Sequence, residues 1–324
     1  MSEKKLKKLK TALPVWAAAA LITAASVFLA LRFACAALAG AHGAPAATVL
    51  VYHDFREGPS DDAGRFTGSG EFAAHLEYLR QNGYCVVPLK SVIRFLEDGE
   101  PLPPKAVAIT FDDGYLGNYT VAFPLLKEYG APATVFVVAG LNEVKKPYDG
   151  HEWLTWEMLR EMQQSGLVDV QSHTYDLHYK VFTGPDRKRL RPAAVARAYR
   201  FDLGRRETPE EFEEKLYLDL LKARQTIEAQ LGTPVDTLAW PFGAYTPKSL
   251  EVARRAGYRY FATTLPGANA PGVSPQAVRR VSVRAGTGTA ELGRLLNYAE
   301  FYRENWLRFL AGYLDYLKDT YLGW

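Results

Sequence analysis

The chain has 324 residues, of which 48% are hydrophobic and 13% aromatic, enough apolar material for a sizeable core and too much for intrinsic disorder. Its formal net charge of +3 belongs to the N-terminal tail: residues 1–10 hold five Lys and one Glu, which leaves −1 on the remainder and excludes a general electrostatic footprint for nucleic acid. Two cysteines, Cys35 and Cys85, exclude a disulfide framework or a Cys-based zinc module.

In chain order, the basic tail 1–12 precedes an uncharged run at 13–31, Arg32, and further apolar residues to 39. Roughly 20 apolar residues cross a bilayer, and Lys-rich flanks stay cytoplasmic. Residues 13–39 therefore read as a single transmembrane helix that anchors an extracellular domain to the cell membrane. The alternative is a signal sequence cleaved at Ala37-Leu38-Ala39, which would secrete the mature protein. Residues 40–47 read as a tether, and a domain spans 48–290.

Within that domain, apolar periodicity predicts a strand at 49–52, then a helix at 71–81 with Phe72, Leu76 and Leu79 on one face. Strands at 84–87 and 106–111, a helix at 119–129, a strand at 134–138, a helix at 155–165 and a strand at 167–171 follow. After an irregular stretch come a long helix at 209–231, a strand at 237–240, a helix at 247–256 and a strand at 258–263. This alternation predicts an α/β fold with a mostly parallel sheet, built as a distorted or incomplete (β/α) barrel, with a doubly wound open sheet as the alternative.

The irregular stretch has its own charge pattern. Residues 180–206 hold nine Lys or Arg against two Asp and run into five Glu at 207–214. They read as a solvated loop paired with its acidic neighbour, the alternative being a surface for anionic polymers or lipid headgroups. Residues 291–324 form a C-terminal amphipathic helical segment, with Tyr302, Trp306, Phe309, Tyr313 and Tyr316 at helical spacing as a packing stripe.

Four predicted strands end in polar or special residues: Tyr52-His53-Asp54, Thr110-Phe111-Asp112-Asp113-Gly114, Ser172-His173-Thr174-Tyr175-Asp176-Leu177-His178 and Trp240-Pro241-Phe242-Gly243. In a barrel, the carboxyl ends of the strands share one face, so these runs converge on one cleft. Adjacent Asp112 and Asp113 repel unless a cation or separate hydrogen bonds absorb the charge. Gly114 permits a turn that brings both toward one cavity, whereas the bland reading is a surface Asp-Gly turn. His173 and His178 can share a metal only if the backbone bends between them; the other reading is one structural and one exposed His. Two His and a carboxylate make a zinc-type donor set with an open position.

Taken in order, these motifs resemble the polysaccharide deacetylases of carbohydrate esterase family four, the NodB-homology domain, over roughly 48–284. The spacing of the two His, Tyr52-His53 and Trp240-Pro241-Phe242-Gly243 are most similar to the branch that acts on poly-β-1,6-N-acetylglucosamine. The resemblance implies Asp112 as catalytic base and Asp113, His173 and His178 as ligands of one divalent metal, Zn foremost, with Co, Ni or Fe accepted by the same donors. It implies hydrolytic N-deacetylation of an extracellular N-acetylglucosamine polymer with release of acetate. A backbone N–H near Phe242 would help the ion stabilise the oxyanion. The alternatives are a peptidoglycan or chitooligosaccharide deacetylase, or an inactive glycan-binding or assembly component. Implied partners are the N-acetylated polysaccharide, the membrane through the N-terminal helix, and polysaccharide synthesis machinery.

The sequence departs from the family pattern twice. Many members use a late His as general acid, but all six His here lie at or before His178. His53 is the candidate acid in its place, with a structural role as the competing reading. The position that often carries an Arg orienting the catalytic Asp is Ala239, leaving Arg279, Arg280 and Arg284 as substitutes or as ordinary surface residues. Tyr115, Trp240, Pro241 and Phe242 are the candidate substrate-binding residues, with core packing as the competing reading for each aromatic ring.

Overall fold

The structure, a computed structural model, describes residues 46–61, 64–140 and 150–297. Its strands are β1 (Ala47–Tyr52), β2 (Asp54–Arg56), β3 (Phe66–Gly68), β4 (Cys85–Val86), β5 (Ala106–Phe111), β6 (Ala133–Val137), β7 (Val168–Ser172), β8 (Lys180–Phe182), β9 (Leu190–Pro192), β10 (Tyr199–Arg200), β11 (Arg205–Arg206), β12 (Thr237–Ala239), β13 (Tyr260–Ala262) and β14 (Val281–Ser282). The α-helices are α1 (Ser69–Gln81), α2 (Leu89–Asp98), α3 (Phe123–Tyr129), α4 (Trp156–Gln164), α5 (Pro209–Leu231), α6 (Pro247–Arg255) and α7 (Thr289–Leu296).

β1, β5 and β6 are buried at every position, as strands covered on both faces must be. They belong to one parallel sheet in the order β13-β12-β7-β6-β5-β1-β14, with β4 paired to the start of β5. From β1 to β13 spatial order follows chain order, with no reversal of the kind that defines a doubly wound sheet. The sheet is a curled half-barrel. Val278 bridges to Ala262 at one edge and Val281–Ser282 pair with β1 at the other, so one short segment spans the gap between the edges.

Side-chain alternation divides the core in two. Leu50 and Tyr52 of β1 and Val107, Ile109 and Phe111 of β5 pack in the larger cluster with residues of α1, α3, α4, α5 and α6. Val49, Ala106, Ala108, Phe136, Ala239 and Ala262 form the second cluster, joined by Leu89, Val92 and Ile93 of α2. Its alanines leave room inside the curl. The inner-face series of β5 therefore runs Ala106, Ala108, Thr110 and on to Asp112, so strand register aims Asp112 inward. Tyr52 pairs with Phe111, and Ser172 with both Val137 and Leu238, which brings the residues after each strand end level with one another.

Several boundaries differ from the sequence expectation. The predicted helix at 119–129 starts as a π-turn, Asn118–Ala122, before α3, whose Pro124 lacks the N–H that an α-helical bond would use. α2 was not expected, and Ala47 starts β1 rather than ending a tether. The irregular stretch holds the hairpins β8–β9 and β10–β11. Arg205 forks onto Glu211 with two bonds of 2.7 Å and Ala198 N–H donates to Glu207 Oε2 at 2.8 Å, so this segment does engage its acidic neighbour. Among the described residues no helix is long and apolar enough to cross a membrane. The predicted tail 1–12, the anchor 13–39 and the aromatic stripe at 302–316 lie outside the described residues, and α7 is the described part of the predicted C-terminal segment.

Candidate active site and metal centre

Asp112 is buried, and its N–H donates to Tyr52 O at 3.0 Å. Both carboxylate oxygens accept from the Arg280 guanidinium, at 2.6 Å from Nη1 and 2.7 Å from Nη2. Arg280 is fully buried in the segment that spans the sheet edges; its Nε donates to Thr263 O at 2.9 Å and Nη1 also to Thr110 Oγ1 at 3.3 Å. Burial by itself pushes the Asp112 carboxyl up, but the Arg280 guanidinium, through its charge and its hydrogen bonds, leads the interactions that outweigh burial and hold the group at about 2. Of the three arginines named from sequence, Arg280 is the one on Asp112. Arg284 is exposed, and Arg279 is half-buried with its backbone bonded to Asn269.

Asp113 turns away. It adopts φ 74° and Gly114 φ 81°, the left-handed turn that Gly114 was expected to permit. Asp113 Oδ1 then lies 3.4 Å from His173 Nε2 and 3.2 Å from His178 Nε2, buried and with no hydrogen bond. His173 Nδ1 donates to Ala239 O at 2.8 Å; a carbonyl only accepts, so the lone pair is on Nε2, facing Asp113. Burial pushes His173 down to about 4, which keeps the imidazole neutral as a metal ligand must be.

These three donors lie within 4.8 Å of one another. Two donors bound tetrahedrally at 2.0–2.1 Å would be separated by about 3.3 Å, close to the Asp113–His spacings, and the orphaned Oδ1 is the polar atom such an ion would satisfy. The residues fit a divalent cation.

His53 follows β1 and is exposed, near enough for its charge to act on Asp112; its carbonyl accepts from Asn118 Nδ2 at 2.7 Å. The substrate-binding candidates divide. Trp240 is fully buried against Tyr245 and Phe261, because it continues the outer-face series of Leu238; it is a core residue, and Pro241 is buried beside it. Tyr115 is buried, its ring stacked with those of His151 (4.3 Å between centroids) and Trp153 (4.9 Å), so little of it is open to a sugar. Phe242 alone of the four is open, 45% exposed at φ 58°, with its ring 4.7 Å from that of His178 and Lys180 Nζ 5.1 Å from its centroid. Strand alternation puts positions 240 and 242 on the same face, and it is the turn after β12, with Phe242 at φ 58°, that separates them. Sequence reasoning missed the buried pair Asp54–His151, 2.7 Å between Oδ2 and Nδ1, and no local signal joins residues so far apart.

A family profile described as polysaccharide deacetylase matches residues 99–261. Over 223 residues the chain is 31% identical to the poly-beta-1,6-N-acetyl-D-glucosamine N-deacetylase of Escherichia coli (strain K12), covering 66% of this chain and 33% of that protein. The chain thus spans about a third of the length of that relative. Among solved structures, a de-N-acetylase from Aggregatibacter actinomycetemcomitans is 28% identical with a TM-score of 0.70, covering 78% of this chain and 100% of that one. The BpsB deacetylase domain from Bordetella bronchiseptica is 31% identical with a TM-score of 0.65, covering 74% and 96%.

Proposed function

The chain belongs to the polysaccharide deacetylase family, and from that premise we propose that it hydrolyses N-acetyl groups from an N-acetylglucosamine polymer, poly-β-1,6-N-acetylglucosamine foremost, leaving free amines and acetate. The observation that carries this reading is the contrast between neighbours. Asp112 is ionised and clamped by Arg280, while the adjacent Asp113 turns an unfilled oxygen toward two imidazoles.

Asp113, His173 and His178 would hold one divalent cation of the Zn, Co, Ni or Fe class. Such an ion, when bound, polarises the amide carbonyl and makes water a usable nucleophile near neutral pH. Asp112 is the base: a carboxylate has about four lone-pair sites, Arg280 uses two, and the rest can take a proton from the attacking water. His53 gives a proton to the departing amine nitrogen. The Phe242 ring supplies an apolar face for a pyranose.

We extend the proposal to place: residues 13–39 anchor the chain with its catalytic domain outside the cell membrane, where the polymer and its synthesis machinery would meet it. Acetate release from poly-β-1,6-N-acetylglucosamine, peptidoglycan and chitooligosaccharides, each with and without chelator, tests the reading. Release from the first, lost on chelation and restored by Zn or Co, is expected. Faster release from peptidoglycan would move the substrate, and no release from any polymer would leave a glycan-binding component.

A further inference from the structure

His173 and His178 can point at one place only because the chain reverses between them, and a reversal exposes N–H groups that must find acceptors. His173 N–H still donates to the sheet, to Val137 O at 2.8 Å. Thr174, at φ 76°, donates to Ser172 Oγ at 3.3 Å, and Leu177 N–H donates back to Thr174 Oγ1 at 3.2 Å. The two N–H groups at the apex have no acceptor in the turn. Tyr175 N–H donates to Asp219 Oδ1 at 2.9 Å and Asp176 N–H to Asp219 Oδ2 at 2.8 Å.

Asp219 belongs to α5, a separate element, and Asp in mid-helix does nothing for the helix itself. The next residue, Leu220, accepts from Tyr258 Oη–H at its carbonyl at 3.1 Å, and the same Tyr258 oxygen accepts from Ser172 Oγ at 2.8 Å, so α5 braces both the apex and the base of the turn.

We propose that Asp219 is a positioning residue for the metal centre: its carboxylate, accepting on both oxygens, clamps the Tyr175 and Asp176 N–H groups and so sets the separation and aim of His173 and His178. The inference rests on the reading of those imidazoles as ligands. Two acceptor oxygens on one group are essential to it. A protonated acid or an amide would turn one of them into a donor facing an N–H.

The charge state has a price that supports the same reading. Burial, with repulsion from Asp176, pushes the Asp219 carboxyl up to about 6 against the two N–H donors and Lys222. Tyr179 and Tyr258 are the other titratable groups that feel it. An acid whose folded pKa is raised destabilises the fold once ionised. The ionised carboxylate is thus held against a desolvation cost that its two N–H bonds offset only in part.

The test uses the full chain and Asp219→Asn. Equilibrium titration of chelator-stripped protein with Zn, and with Co as a spectroscopic probe, is expected to show affinity 10- to 100-fold lower in the variant, with an altered Co absorption spectrum. Hydrogen exchange in peptides covering 174–177 should be at least about 10-fold faster, with β5 unchanged. Equal metal affinity and equal spectra overturn the clamp, as does a loss of protection in β5 matching that at 174–177. If wild type itself takes up no metal, the ligand reading fails and this inference with it. Should Asp219→Asn not fold, exchange in wild type decides: protection at 174–177 must fall as pH is lowered through about 6, beyond the intrinsic rate change, while β5 stays protected, and a constant protection overturns the clamp.

Discussion

Arg280 and Asp112, 168 residues apart, meet inside the half-barrel through two parallel bonds of 2.6 and 2.7 Å, both side chains withdrawn from solvent. Buried ion pairs are tolerated when the remaining donors are also satisfied, and here Thr263 O and Thr110 Oγ1 accept further N–H groups from the same guanidinium. The aim of the proposed base therefore depends on the segment that spans the sheet edges.

Replacing that arginine should separate charge from geometry. Arg280→Lys keeps a cation but cannot fork, so it should fold with a lower melting temperature and lose turnover by at least about 10²-fold with metal content unchanged. Arg280→Met leaves Asp112 buried and unpaired, a loss of about 3–5 kcal/mol. Full turnover in the Lys variant would show that the fork is dispensable.

Asp112 and Asp113 should fail in different ways. Asp112→Asn removes a base and should retain metal while turnover falls on the order of 10²- to 10⁴-fold. Asp113→Asn weakens a ligand and should lose metal as well. Elemental analysis with steady-state acetate release checks both, and equal metal loss would undo the division of roles.

His53 is tested by its leaving group. An amide nitrogen needs a proton to depart and an activated phenyl acetate does not, so His53→Ala should damage amide hydrolysis far more than ester hydrolysis at matched metal occupancy. Equal losses would assign His53 to orientation.

The pH dependence of the chelated protein carries the signature of His173. Its folded pKa, about 4, lies below the ordinary 6.5, so its contribution is complete above pH 6.5 and is lost as pH falls toward 4, on the order of 3 kcal/mol. His173→Asn can keep a donor for Ala239 O but cannot titrate. The stability advantage of wild type over that variant should shrink across this window in denaturant melts; a constant difference would contradict a neutral buried imidazole.

Much of this was legible in the chain. Apolar runs such as 106–111, where the strand lies where periodicity put it, and the α5 span 209–231, opened by a Thr208 capping box and closed at Gly232, are local consequences of hydrophobicity, caps and glycine. So were the motif runs at strand ends, because parallel strands present their carboxyl ends on one face. Three things needed the tertiary structure. Arg280 was one of three equivalent arginines until the spanning segment turned it inward, since an ion pair 168 residues long leaves no periodic trace. Trp240 and Phe242 carry similar chemistry and share strand parity, and only the turn after β12, where Phe242 takes φ 58°, left the first buried and the second exposed. Asp219 looked like any helix carboxylate, because the N–H groups it holds become unpaired only when the His173–His178 turn is folded above it. Sequence records what a residue can do over a few neighbours; which distant group it does it to is decided by how the sheet curls.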